Sequence, residues 1–242
     1  MPESSAFEVR AGTAALAGER SGQGRSLICL HAGVADRRMY REQTRALSAH
    51  LDVLSYDRRG FGETRTLDER FNHVADLSSV MDAAHIKRAI VLGCSQGGRV
   101  AIDFALAHPE RVDALVLIAS AVSGAPSAPM PDDIQALMDE LDTAEELEDL
   151  TKVNAVEAHM WLDGPRSSEG RVTGPIRDLF LDMNRIALEH PPLTKERQPN
   201  GAYDQLDTLK VPALLLHGTL DFPHIAARHQ HMAAVMPDAE AA

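Results

Sequence analysis

The sequence is short of cysteine: two residues in 242. Both stand in apolar, strand-like surroundings, Cys29 in Ser26-Leu27-Ile28-Cys29-Leu30 and Cys94 in Leu92-Gly93-Cys94-Ser95. This excludes a disulfide-stapled secreted scaffold. No run approaches the roughly 18 apolar residues that a membrane-spanning helix needs. Residues 1–10 lack the basic start and continuous apolar stretch of a signal peptide, so a cytoplasmic protein that does not enter a membrane is expected. Basic side chains are also in the minority, with 24 Lys and Arg against 36 Asp and Glu and a formal net charge of −12. Such a field repels phosphate backbones and anionic lipid surfaces. Nucleic acid is therefore not an expected partner and a small-molecule substrate is, while the choice between a monomer and a homo-oligomer stays open.

The hydrophobic fraction of 44% and charged fraction of 25% are close to the averages for globular proteins. The length suits one α/β domain with a continuous core. Residues 7–10 and 13–16 suggest an opening hairpin. Short apolar runs without strict alternation then recur at 27–31, 53–56, 89–92, 114–118 and 211–217, which suits strands buried on both faces of a parallel sheet. Segments with helical spacing lie between and after them, at 39–51, 74–85, 96–108 and 224–236. The alternation predicts a mostly parallel open sheet with helices on both faces and ligands beyond the carboxyl ends of its strands.

One region breaks the rhythm. Residues 123–200 open with Pro126, Pro129 and Pro131, continue through a helix-like acidic stretch at 132–150 and contain no convincing buried strand. They read as a helical cap inserted into a core made of 1–122 and 201–242. The acidic run 139–149 reads as a solvated helix face.

The chemistry concentrates at Val91-Leu92-Gly93-Cys94-Ser95-Gln96-Gly97-Gly98. A serine between glycines, where a buried strand ends and a helix begins, is lifted out of the sheet on a sharp turn. Backbone N–H groups and the positive end of the helix dipole then face it. Ser95 is the expected nucleophile.

This motif and several spaced features resemble the α/β-hydrolase superfamily, in particular its small bacterial esterases and lactonases. Leu30-His31-Ala32-Gly33-Val34 is similar to the loop that completes the oxyanion hole, with Ala32 where glycine is usual. The resemblance implies Gly33 or Val34 as one donor and Gln96 as the other. Tyr56-Asp57-Arg58-Arg59-Gly60-Phe61-Gly62 resembles a structural turn in the family, so Asp57 is read as turn-fixing rather than catalytic. Leu214-Leu215-Leu216-His217-Gly218-Thr219-Leu220-Asp221 looks like the strand that ends in the triad acid, which implies Asp221 as the carboxylate that orients the base. An N-cap role for Asp221 before Phe222-Pro223 is the alternative.

In this family the histidine follows an eighth strand. After Asp221 the sequence shows one helix, so the last strand, its histidine loop and the last helix are expected to be absent from these 242 residues, and this form is expected to be impaired. His224, His229 and His231 read as helix residues. Spacings of five and two do not place all three on one helical face, so no metal is expected, nor any cofactor. Met160, Trp161, Leu162, Leu179 and Phe180 read equally as cap core or as an apolar pocket wall, with Trp161 as the pocket candidate. A serine elbow favours acyl transfer to water, so the expected activity is hydrolysis of a small hydrophobic carboxylic ester or lactone through an acyl-enzyme. Hydrolysis of a carbon–carbon bond, cofactor-free perhydrolysis on the same triad, and a non-catalytic ligand-binding role are the alternatives.

Overall fold

A computed structural model describes residues 4–198 and 201–242. The first three positions, and the two at the end of the expected insertion, lie outside the described residues. β1 (Ser5–Ala11) and β2 (Ala14–Ser21) form the opening antiparallel hairpin. β3 (Arg25–Leu30), β4 (Leu51–Tyr56), β5 (Ala89–Cys94), β6 (Val112–Ile118), β7 (Ala213–Leu216) and β8 (Ala239–Ala241) run parallel to one another. The order across the sheet is β1-β2-β4-β3-β5-β6-β7-β8.

β8 corrects the expectation that no eighth strand is present. Ala239, Glu240 and Ala241 pair with Ala213, Leu214 and Leu215. Alanine and glutamate are weak strand formers, so nothing in the local composition announces a strand. Backbone pairing with β7 supplies it, including Ala213 N–H to the Asp238 carbonyl at 2.8 Å.

The central strands are buried on both faces because each carries two apolar sets. In β3, Ile28 and Leu30 face the larger core, which holds Leu77, Val80 and Met81 of α2 (His73–Ala83) and the apolar side of α3 (Gln96–Ala107). Leu27 and Cys29 face the opposite cluster, against which Leu47 of α1 (Arg41–Leu47) packs. Met232 of α7 (Pro223–Val235) joins the larger core. Local chemistry sets the helix starts: the Asn72 side chain accepts the Val74 N–H, and Pro223 occupies the first turn of α7.

Between β6 and β7 lie α4 (Asp132–Glu146), α5 (Leu150–Ala158) and α6 (Pro175–Glu189). The acidic stretch is thus two helices rather than one. Glu148 adopts φ 54°, and the Asp149 side chain accepts the Lys152 N–H to cap a new helix. Ile134, Leu137, Leu141 and Ala144 line one side of α4 and pack with Val153, Val156 and Met160 on Phe222 and Ile225 of the sheet domain. The acidic residues 139, 140, 142, 145 and 146 stay exposed. No helix of the described residues is long and apolar enough to cross a membrane.

Candidate active site

Ser95 stands between β5 and α3 with φ 50° and ψ −114°, a strained region for a residue with a side chain. The strain persists because the surroundings over-determine it. Ser95 N–H donates to the Ile118 carbonyl at 2.9 Å, and the Ser95 carbonyl accepts from Ala121 at 3.0 Å and Arg99 at 3.1 Å. Gly97 admits the turn, since a Cβ there would overlap the Leu30 carbonyl oxygen. Ser95 is half-buried, and its hydroxyl makes no hydrogen bond to the described residues.

The loop after β3 is held from beneath by two buried side chains. The Arg58 N–H donates to His31 Nε2 at 3.0 Å, and His31 Nδ1 lies 2.7 Å from the Ala32 carbonyl. With Nε2 accepting, the proton sits on Nδ1 and the ring is neutral. Burial, reinforced by the Arg58 charge, holds His31 well below the usual histidine range. Burial also pulls Arg58 down to about 10, which leaves it cationic at neutral pH. Its Nη2 donates to the carbonyls of His31 at 3.1 Å and Ala32 at 3.3 Å. With these oxygens tied back, the N–H groups of Gly33, Val34 and Gln96 have no acceptor among the described residues. A Cβ on Gly33 would lie 2.5 Å from Gln96 Nε2, so the two sides of the loop pair are in contact. Asp57 is fully buried and accepts the N–H groups of Arg37 at 2.8 Å and Glu63 at 2.9 Å, the role of a turn-fixing carboxylate.

Gly33, Val34, Ser95, Gln96, Trp161 and Asp221 all line one cavity of about 420 Å³ beyond the carboxyl ends of the strands. Asp221 Oδ1 accepts the Phe222 N–H at 2.8 Å, so the local turn contact and the position facing the cavity coexist. Burial pushes the Asp221 carboxyl up, opposed by that N–H and by His224 and His217. Trp161 is 42% exposed and packs on Phe222 with ring centroids 4.7 Å apart. Leu162, Leu179 and Phe180 also line the cavity, whereas Met160 turns into the core of the insertion. None of the eleven histidines lines it. The rings of His217 and His229 pack against each other, tilted, with centroids 4.1 Å apart, and His231 stacks on Tyr203. Cys94 also reaches the cavity, and burial pushes its thiol up to about 12, so it is no competing nucleophile.

Glu157, Met39, Met183 and Ile225 are lining residues that sequence reasoning missed. They come from four separate segments, each with ordinary helical patterning, so no local feature marks them.

A family model described as the alpha/beta hydrolase fold matches residues 25–224. The chain belongs to this family. A pimeloyl-[acyl-carrier protein] methyl ester esterase of Vibrio cholerae is 29% identical over 224 residues, covering 86% of this chain and 81% of the relative. A Caulobacter vibrioides protein named as a carbamate hydrolase, RutD, is 35% identical over 100 residues, covering 39% of this chain and only 37% of that relative's length. The crystal structure of a hydrolase from Pseudomonas aeruginosa superposes with a TM-score of 0.75 at 22% identity, over 98% of this chain and 89% of that one; at that identity it speaks for the fold alone.

Proposed function

We propose that this chain is a serine hydrolase for a small hydrophobic carboxylic ester or lactone, working through an acyl-enzyme. The observation that carries the reading is that Ser95, its hydroxyl unpartnered, lines one mostly apolar cavity together with Gly33, Val34 and Gln96, whose N–H groups have no acceptor among the described residues. Attack of Ser95 Oγ on the substrate carbonyl carbon turns the carbonyl oxygen into an oxyanion. The Gln96 N–H and that of Gly33 or Val34 stabilise this charge, each such donor contributing about 3 kcal/mol. Collapse expels the alcohol, which takes up a proton, and water then releases the acid and restores the serine. Asp221 is the triad acid in this reading. The similarity to a methyl ester esterase over most of both chains favours an ester among acyl substrates.

No imidazole lines the cavity among the described residues, so in this reading the proton of Ser95 passes to water. The test is p-nitrophenyl butanoate turnover with intact-mass detection of the acyl adduct. The expected result is turnover with one adduct on Ser95 and neither adduct nor turnover in S95A. Equal rates in both proteins with no adduct would overturn the reading. A second reading, a ligand-binding member without catalysis, rests on the apolar lining of the same cavity. That reading predicts ester-induced thermal stabilisation and no adduct at any time.

A further inference from the structure

The cavity carries a charge asymmetry that ester hydrolysis alone does not require. Two of its lining side chains, Glu157 and Asp221, are carboxyls, and no Lys, Arg or His lines it. Glu157 reaches it from α5, within the insertion, among apolar neighbours such as Leu179, Phe180 and Met183. Its position is set by a buried amide chain. Asn184 Nδ2 donates to Glu157 Oε2 at 2.6 Å and to Asn154 Oδ1 at 3.0 Å, and Asn154 Nδ2 donates to the Leu181 carbonyl at 2.8 Å. Asn184 is 2% exposed and Asn154 is 9% exposed. The chain orients one carboxyl oxygen and leaves Oε1 without a protein partner. Burial pushes Glu157 above the usual carboxyl range, and no cation contributes to offset it.

Glu157 is half-buried, and a partly desolvated carboxyl without a counter-charge is unfavourable. An ordered network that keeps it there is explained by a ligand that completes it. We propose that Glu157 determines specificity by receiving a protonated amine on the substrate, so that the preferred acyl compound is an aminoalkyl ester. This rests on the hydrolase reading only for the word ester; the cation preference belongs to the cavity. The net charge of −12 adds a long-range field that draws a cationic substrate inward.

The experiment separates binding from chemistry. Calorimetry compares two amides that differ only in charge, N-[3-(dimethylamino)propyl]butanamide and N-(4-methylpentyl)butanamide. The wild-type chain is expected to bind the cationic amide about tenfold more tightly, as a charge-assisted hydrogen bond would give. In E157Q, whose carboxamide oxygen can still accept from Asn184, the ratio is expected to fall to about one with the melting temperature retained; in D221N a preference persists. A wild-type ratio near one, the same ratio in E157Q as in wild type, loss of the preference in D221N rather than E157Q, or binding of neither amide would each overturn the proposal. The corresponding butanoate esters then give kcat/KM. Ser95-dependent hydrolysis with no charge preference removes the Glu157 role and keeps the hydrolase. A Glu157-dependent binding preference without Ser95-dependent hydrolysis does the reverse.

Discussion

The two halves of the cavity are built by different physics. On the sheet side, Ser95, Gln96 and the loop at Gly33 and Val34 are placed by backbone: a strained φ at Ser95, a carbonyl pressed against Gly97, and main-chain hydrogen bonds to Ile118 and Ala121. On the insertion side, Trp161, Leu162 and Glu157 are placed by side-chain networks. The turn that carries Trp161 and Leu162, His159–Asp163, is a π-helical one closed by the fully buried Asp163. Asp163 accepts N–H groups from Gly170 and Val172 at 2.8 Å each and the Arg177 guanidinium at 2.7 Å. Backbone placement tolerates no added atom, whereas side-chain placement can loosen while the fold survives. In the proposed reading the chemistry sits on the first kind of support and selectivity on the second.

The sharpest way to break this comparison is at Gly97. The G97A methyl would overlap the Leu30 carbonyl oxygen, so a global loss of about 3 kcal/mol is expected in urea unfolding. A loss below about 1 kcal/mol would mean that the elbow yields more easily than the contrast requires.

Next in size is D163N, which weakens the pairing of the half-buried Arg177 guanidinium with a fully buried side chain and leaves N–H donors short of an acceptor. A loss of about 2 kcal/mol is expected, seen by hydrogen exchange across α5 and α6 and not in β5 or α3. The same carboxyl gives an acid dependence. Burial raises its pKa, and the Val172 N–H, Arg177 and the Gly170 N–H outweigh burial, leaving it below the ordinary aspartate value. A carboxyl lowered in the folded state contributes fully above the unfolded value near ~3.9 and loses that contribution as the pH falls through the folded value. The opening free energy of the insertion, obtained from exchange corrected for the intrinsic rate at each pH, should therefore fall as pH drops below about 4, and D163N should flatten that fall.

Smaller still is W161A. Trp161 is partly exposed, so its removal should raise KM about fivefold, the effect of about 1 kcal/mol of lost apolar contact, with kcat little changed. A fall in kcat with constant KM would place Trp161 with the chemistry rather than with selectivity. The smallest expected effect is none: iodoacetamide at pH 8 should leave Cys94 unmodified in the folded protein and alkylate it after denaturation. Rapid reaction in the native state would contradict the closed packing at the elbow.

Much of this was legible along the chain where a few consecutive residues carry the whole constraint. The apolar runs located β3 to β7 because a strand buried on both faces must be apolar throughout. Gly93 to Gly98 located the elbow because its steric requirements fall within six positions. Val211 to Asp221 located a carboxylate on the cavity wall for the same reason. The single helix expected at 132–150 broke at Glu148 because capping by Asp149 outweighed continuous helical patterning. β8 escaped notice because a three-residue edge strand is defined by its partner, not by its own side chains.

The sequence by itself determined the α/β alternation, the serine on its turn and the carboxylate after β7, since each rests on interactions between near neighbours in the chain. Only the tertiary structure decided which insertion residues face Ser95 and that Met160 does not. It also decided that His31 is locked neutral by Arg58 and Ala32, and that Glu157 lines the same cavity as Ser95 with one oxygen free of protein partners. Those relations join segments tens of residues apart through packing and hydrogen bonds, and no local pattern encodes which distant side chain will complete a cavity wall.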